Sequence, residues 1–247
     1  MSFVVPAVLP ASKKELAEKL ALLTSLPSID RIQIDVVDGQ FASPASWPYS
    51  IENWKLEIEN WEGMLPRLGA VEYEVDIMCI DAEAAAAAWL ALGASRLTIH
   101  AESPIDLPRL LGSLSERFGE AGGFSIGLAI NLASSLALIE PFFAEATKDK
   151  PCIRCVQYVQ CMGIARIGRQ GQPFDERVFE KIRVLREKYP RLPIQVDGGV
   201  SLHNAKRLIA AGVSNLVVGS SILRAADPAK AIAEFEALYI AQYPYGV

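Results

Sequence analysis

The sequence has no basic stretch that could lie along a nucleic-acid backbone. Acidic residues outnumber basic ones, 29 to 24, for a net charge of −5. Binding a phosphate backbone draws on clustered Lys and Arg, so no nucleic-acid partner is expected. No apolar run reaches the roughly 18 residues of a membrane span, and Met1-Ser2-Phe3-Val4-Val5 lacks the basic start of a secretory signal. A cytoplasmic location without membrane attachment is the expectation. Cysteine is scarce, at Cys79, Cys152, Cys155 and Cys161, and in a reducing compartment these read as free thiols. The C-x-x-C of Cys152 and Cys155 falls in an expected strand, where an odd spacing sends the side chains to opposite faces. It reads as buried cysteine rather than a redox or zinc motif. Missing too is a Gly-x-Gly-x-x-Gly after the first apolar run, since residues 6–12, PAVLPAS, contain no glycine. A dinucleotide-binding open sheet would carry that motif there, and no organic cofactor is expected.

What is present is a core. Hydrophobic residues make up 51% of the 247 and charged residues 21%, too apolar for disorder. Strand-like runs fall at residues 3–9, 31–37, 71–78, 96–100, 124–130, 153–159, 193–199 and 215–220. Helical patterns lie between them, including 13–25, 81–93, 176–189 and 201–212; the last starts at a Ser N-cap and ends in Gly. Such alternation implies parallel strands joined by right-handed crossovers. Eight repeats in this length predict an α/β fold, a (β/α)8 TIM barrel, with residues 1–247 as a single domain. The segment 42–61 is long and carries Trp47, Trp54 and Trp61. It is expected to act as a lid or as a contact in a homo-oligomer, because large aromatics favour interfaces.

In such a barrel the reactive face is the C-terminal end of the strands. Polar residues gather there: Gln33, Asp35 and Asp38 on the second strand, and Glu74 and Asp76, sharing a face with Met78, on the third. The fourth ends at His100, the seventh in Asp197-Gly198-Gly199 and the eighth in Gly219-Ser220-Ser221. Glycine-bearing ends on the last two strands point to a phosphate held by backbone N–H groups, the alternative being plain tight turns. Asp35, Asp76 and Asp197 are expected to face one mouth, where like charges raise one another's pKa. Either a cation sits among them or protons are shared. Asp38 could equally cap a helix, and Asp197 could brace a loop. Two carboxylates facing across a sugar suit proton removal beside a carbonyl and return to the opposite face. A divalent cation would stabilise the enediolate between the two steps.

Seven stretches in order, PAVLPAS (6–12), IDVVDGQF (34–41), EVDIMC (74–79), TIHAES (98–103), GQPF (171–174), VDGGV (196–200) and VGSSIL (218–223), carry a likeness. The chain resembles the ribulose-phosphate 3-epimerase family, among phosphate-binding barrels that also include sugar-phosphate decarboxylases. The resemblance implies an isomerase, an epimerase of a phosphorylated ketose, with Asp35 and Asp197 as acid and base. It implies substrate contacts at Gln33, Asp38, Met78 and His100, and phosphate contacts at Gly171, Gln172, Gly198, Gly199, Gly219 and Ser220. The small phosphorylated sugar is the expected partner.

The departures bear on chemistry. The family's metal centre has two His and two Asp; Asp35 and Asp197 match, while Gln33 and Asp76 stand at the His positions. An all-oxygen set of Gln33, Asp35, Asp76 and Asp197 suits Mg²⁺ or Mn²⁺ better than Zn²⁺. Ala7 stands where the family has a substrate-contacting Ser. The family's Asn-Pro-Gly-Phe-Gly-Gly loop corresponds to a longer stretch, 161–174, with Arg166 and Arg169. These could replace lost charge, reach a second acidic group, or be solvated. Met78 occupies the place of the decarboxylases' proton-donating Lys, which argues against decarboxylation. The second reading is a non-catalytic barrel that binds a sugar phosphate.

Overall fold

Each apolar run with a period of two becomes a strand of one ring. The computed structural model describes residues 2–49, 56, 65–118, 123–142 and 156–243. The strands are β1 (Val4–Val8), β2 (Arg31–Val37), β3 (Glu72–Met78), β4 (Arg96–His100), β5 (Ser125–Ile130), β6 (Val156–Met162), β7 (Ile194–Asp197) and β8 (Asn215–Val218). They pair in sequence order, all parallel, and β1 closes on β8. Around them lie α1 (Lys13–Thr24), α2 (Ala82–Ala91), α3 (Leu107–Phe118), α4 (Val178–Lys188), α5 (Leu202–Ala210), α6 (Ser220–Leu223) and α7 (Pro228–Gln242). This is the (β/α)8 barrel that the alternation predicts.

The outward strand residues and the helices make the core. Leu16, Leu20 and Leu23 of α1, Leu110 and Leu114 of α3, and Leu208 and Ile209 of α5 pack with Ile32, Ile34, Val75 and Ile99. Each such side chain contributes about 1.5–3 kcal/mol on burial. Local chemistry starts the helices. Ser12 accepts the Glu15 N–H at 3.2 Å, Asp81 accepts the Ala84 N–H at 3.0 Å, and Ser201 with Asn204 forms a capping box at α5.

Two strand ends differ from the sequence reading. β6 runs on to Met162 instead of stopping at 159, because Gln160 finds buried partners inside the ring. Residues 153–155, with Cys152 and Cys155, lie outside the described residues; Cys79 and Cys161 are buried free thiols. β7 stops at Asp197, short of 199, because Gly198 and Gly199 turn to φ of +101° and +67°, a left-handed conformation that only glycine adopts freely. Trp47 packs edge-on against Trp89 with centroids 6.4 Å apart, and its N–H donates to the Pro10 carbonyl. Trp54 and Trp61, and with them most of the expected lid or oligomer contact, lie outside the described residues. No helix among the described residues is long and apolar enough to cross a membrane.

Barrel interiors of this kind are usually filled by branched apolar side chains, but here the lower interior is polar. Glu74 is fully buried, with Arg96 Nε 2.9 Å from its Oε2. The Thr98 hydroxyl, the Tyr158 hydroxyl and the Gln195 amide approach its Oε1 at 2.8, 3.2 and 2.5 Å. Tyr158 can cross the ring because β5 presents Gly127, where a Cβ would stand 2.1 Å from its ring.

Candidate active site

Above that layer the strand ends bring together carboxylates that are far apart in sequence. Asp35 and Asp76 are register partners on β2 and β3, and Asp197 faces them from β7. Ligand oxygens of the three lie within 4.8 Å of one another. Two amides hold them. Gln33 Nε2 donates to Asp35 Oδ1 at 2.8 Å and to Asp197 Oδ2 at 3.1 Å. Gln160 Nε2 donates to Asp76 Oδ2 at 2.9 Å and reaches Asp197 Oδ2 at 3.5 Å. Gln195 donates to Gln160 Oε1 at 2.7 Å, so the Gln160 amino group is left facing the carboxylates.

Burial and the neighbouring carboxylates raise the pKa values. Asp35 is lifted well above the usual range by burial, then by Asp197 and Asp76, against the opposing pull of Gln33 and His100. Asp197 is lifted to about 7 by burial and by Asp76. Both carboxyls are thereby pushed toward their protonated forms.

Around this centre the structure separates the expected substrate contacts. Met78 lines the cavity together with Ala7, Asp35 and Asp197. His100 does not, because it is fully buried behind Asp76, with Nε2 3.3 Å from Asp76 Oδ1 and Nδ1 3.7 Å from Glu102 Oε2. Burial alone would lower its pKa, but the two carboxylates outweigh it and raise the imidazole to about 9. That shift favours the protonated ring beside Asp76. Asp38 also turns away from the cavity. Its carboxylate accepts the N–H groups of Gln40, Phe41 and Ile80 at 2.8, 2.7 and 2.6 Å, which makes it a loop brace. Gln33 is fully buried and touches the carboxylates rather than the cavity wall.

The glycine ends do share the cavity. Gly198, Gly199, Gly219, Ser220 and Gly171 line it beside Asp35 and Asp197, with Gly219 at the N-cap of α6. Gln172 instead faces an adjoining hollow with Ser201, His203 and Asn204. Arg169 stands on the cavity rim, and Arg166 lines a neighbouring cleft with Glu102, Asn131 and Arg169. Sequence reasoning misses Gln160, Gln195 and Gln170. Gln195 lies two residues before Asp197 and so shares its face, a signal that period two carries. Gln160 stays hidden as long as β6 is ended at 159.

Residues 3–223 match the profile of the ribulose-phosphate 3 epimerase family. The chain belongs to that family. It is 29% identical over 235 residues to the chloroplastic ribulose-5-phosphate-3-epimerase of Arabidopsis thaliana, covering 93% of this chain and 74% of that protein. Against the ribulose-phosphate 3-epimerase of Bacillus subtilis (strain 168) it is 28% identical over 236 residues, covering 94% and 96%. In fold it is similar to KGPDC from Streptococcus mutans, with a TM-score of 0.69 at 14% identity over 98% of this chain and 99% of that one. Membership places the chain among carbohydrate-phosphate epimerases, in the isomerase class.

As a member of the ribulose-phosphate 3-epimerase family, the chain is expected to hold a divalent metal, and its residues can be tested for fit. Besides the three clustered carboxylates, Gln33 Oε1 is buried without a hydrogen-bond partner, and Asp76 Oδ1 has only the His100 Nε2 contact at 3.3 Å. Unpartnered buried oxygens beside an excess of negative charge are what a hard cation would satisfy. The donor set fits an oxygen-loving divalent ion and departs from the nitrogen-containing set of the resemblance.

Proposed function

We propose that the chain epimerises a phosphorylated ketose by proton transfer between Asp35 and Asp197 through an enediolate. One observation carries this reading: both side chains line the cavity that the glycine ends also line, with raised pKa values that leave a proton on the pair. One of the two carboxylates serves as base, taking the proton from the carbon next to the carbonyl. The other, protonated, delivers its proton to the opposite face of the planar enediolate. Gln33 and Gln160 keep the carboxylates in place, and Gln195 holds the Gln160 amide in its donating orientation. Gly198, Gly199, Gly219 and Ser220, with Gly171 from the loop after β6, hold the phosphate. A divalent ion, Mg²⁺ or Mn²⁺ in preference to Zn²⁺, would be held by Asp35, Asp76, Asp197 and Gln33 Oε1 and would supply positive charge to the enediolate oxygens.

Ala7 on the cavity wall offers no hydroxyl to the substrate, which is the observation favouring the non-catalytic, sugar-phosphate-binding alternative. Incubation with a panel of ketose phosphates in D₂O, with and without Mg²⁺ or Mn²⁺, separates the two. The epimerase places deuterium next to the carbonyl of at least one ketose. Calorimetric binding with no deuterium in any of them leaves the binding barrel.

A further inference from the structure

We propose that the phosphate cradle continues into a second anion subsite formed by Arg169 and Arg224, so that the substrate is a sugar phosphate whose phosphate end bears a second anionic group. This rests on the phosphosugar reading above and narrows it.

The chain is acidic overall, at −5, yet the groove adjoining the cradle is lined by Lys19, Arg169 and Arg224 against Glu15 as its only carboxylate among the described residues. Glu15 is already engaged. Its Oε1 lies 2.5 Å from Lys19 Nζ, its Oε2 accepts the Ala11 N–H at 2.7 Å, and the Lys19 contact leads in holding its pKa below the ordinary value. Two guanidinium groups are left uncompensated at one rim. Like charges gathered in one groove repel, and an anion relieves that repulsion.

Both arginines are placed for this. Arg169 lines the carboxylate cavity and the groove alike, and its Nε donates to the Ser43 carbonyl at 2.9 Å, which orients the side chain and leaves its terminal amino groups free. Arg224 directly follows α6, whose first turn belongs to the cradle. Its Nη1 stands 3.3 Å from where a Cβ on Gly171 would be, and its side chain makes no hydrogen bond or ion pair among the described residues. Between cradle and groove lies the Gln170 amide, which donates to the Ala7 carbonyl at 3.1 Å and presses against Gly219, where a Cβ would come within 2.5 Å. A donor on the partition and guanidinium groups beyond it suit a second group of phosphoryl type, which such forks bind through paired N–H donors.

Calorimetry of the full chain in metal-free buffer at fixed ionic strength, with inorganic phosphate and then pyrophosphate, tests this. Pyrophosphate is expected to bind at least about tenfold tighter, the order of a single charge-assisted contact. Arg224→Ala should remove most of that preference while changing phosphate affinity less than about twofold, and Arg166→Ala, on the same loop as Arg169 but lining neither the cradle cavity nor the groove, should leave both affinities as they are. Equal affinities in the parent chain, or a preference that survives Arg224→Ala, overturns the subsite and leaves the cradle standing. Failure of both anions to bind overturns the phosphosugar reading and the subsite with it.

Discussion

Two layers inside the barrel use the same vocabulary of Asp, Glu and Gln and reach opposite balances. Around Glu74 one carboxylate is met by a guanidinium, two hydroxyls and an amide. Above it, Asp35, Asp76 and Asp197 share the amino groups of Gln33 and Gln160 and the imidazole of His100, and Gln33 Oε1 beside them stays unpartnered. The lower layer satisfies its charge and so stabilises the ring. The upper layer keeps an excess of negative charge in a half-dry place, a local cost that ligand, cation or proton can relieve. Structural and functional polar groups are thus told apart by how completely they are paired rather than by residue type.

Substitutions can break that contrast. The largest effect is expected for Asp197→Asn. Deuterium exchange should fall by about 10³-fold, within the range for a lost acid–base group, while the thermal midpoint holds or rises as repulsion is relieved. A midpoint that drops steeply with exchange intact would erase the distinction between the layers. Glu74→Leu should do the reverse, stranding Arg96 in the ring at a cost of about 3–5 kcal/mol in urea unfolding. Little loss there would mean the lower layer is no more structural than the upper.

His100 links the two behaviours through pH. Its folded-state pKa, about 9, lies above the unfolded 6.5, so its stabilising contribution is complete below pH 6.5 and disappears as pH rises through 9. Stability should decline over that window by on the order of 3 kcal/mol, and His100→Gln should flatten the decline. Gln160→Leu, which removes one shared donor, should cost about 1–3 kcal/mol and slow exchange while the lower layer stays folded. Mg²⁺ or Mn²⁺ should act in the opposite direction. At about a hundred times its dissociation constant, the ion should add about 2.7 kcal/mol of stability. Because the raised pKa values of Asp35 and Asp197 make protons compete for the same oxygens, the increment should grow as pH passes 7 and shrink below it. An increment independent of pH would remove those carboxylates from the ion's site.

Much of this is legible from the chain. Alternating runs specify the ring, and period two carries Asp35, Asp76 and Asp197 to one end of it. Asp38 and His100 are equally conspicuous at strand ends, yet one is taken by backbone N–H groups and the other is sealed behind Asp76. A polar residue's address on a strand does not reveal its partners. From sequence alone Arg169 could replace charge lost from the metal site, reach a second acidic group or be solvated, and its position on the rim beside Arg224 depends on a loop path that no local pattern encodes.

The amino-acid order by itself determined the barrel, its parallel register and the end at which the reactive groups collect, because hydrophobic period and strand–helix alternation are local properties that burial then enforces. Only the tertiary structure decided which carboxylates compete for protons, which amides restrain them and which cations remain unpaired. Those are pairwise matters of a few ångströms between segments as much as 164 residues apart, such as Gln33 and Asp197, and such distances exist only once the ring has closed.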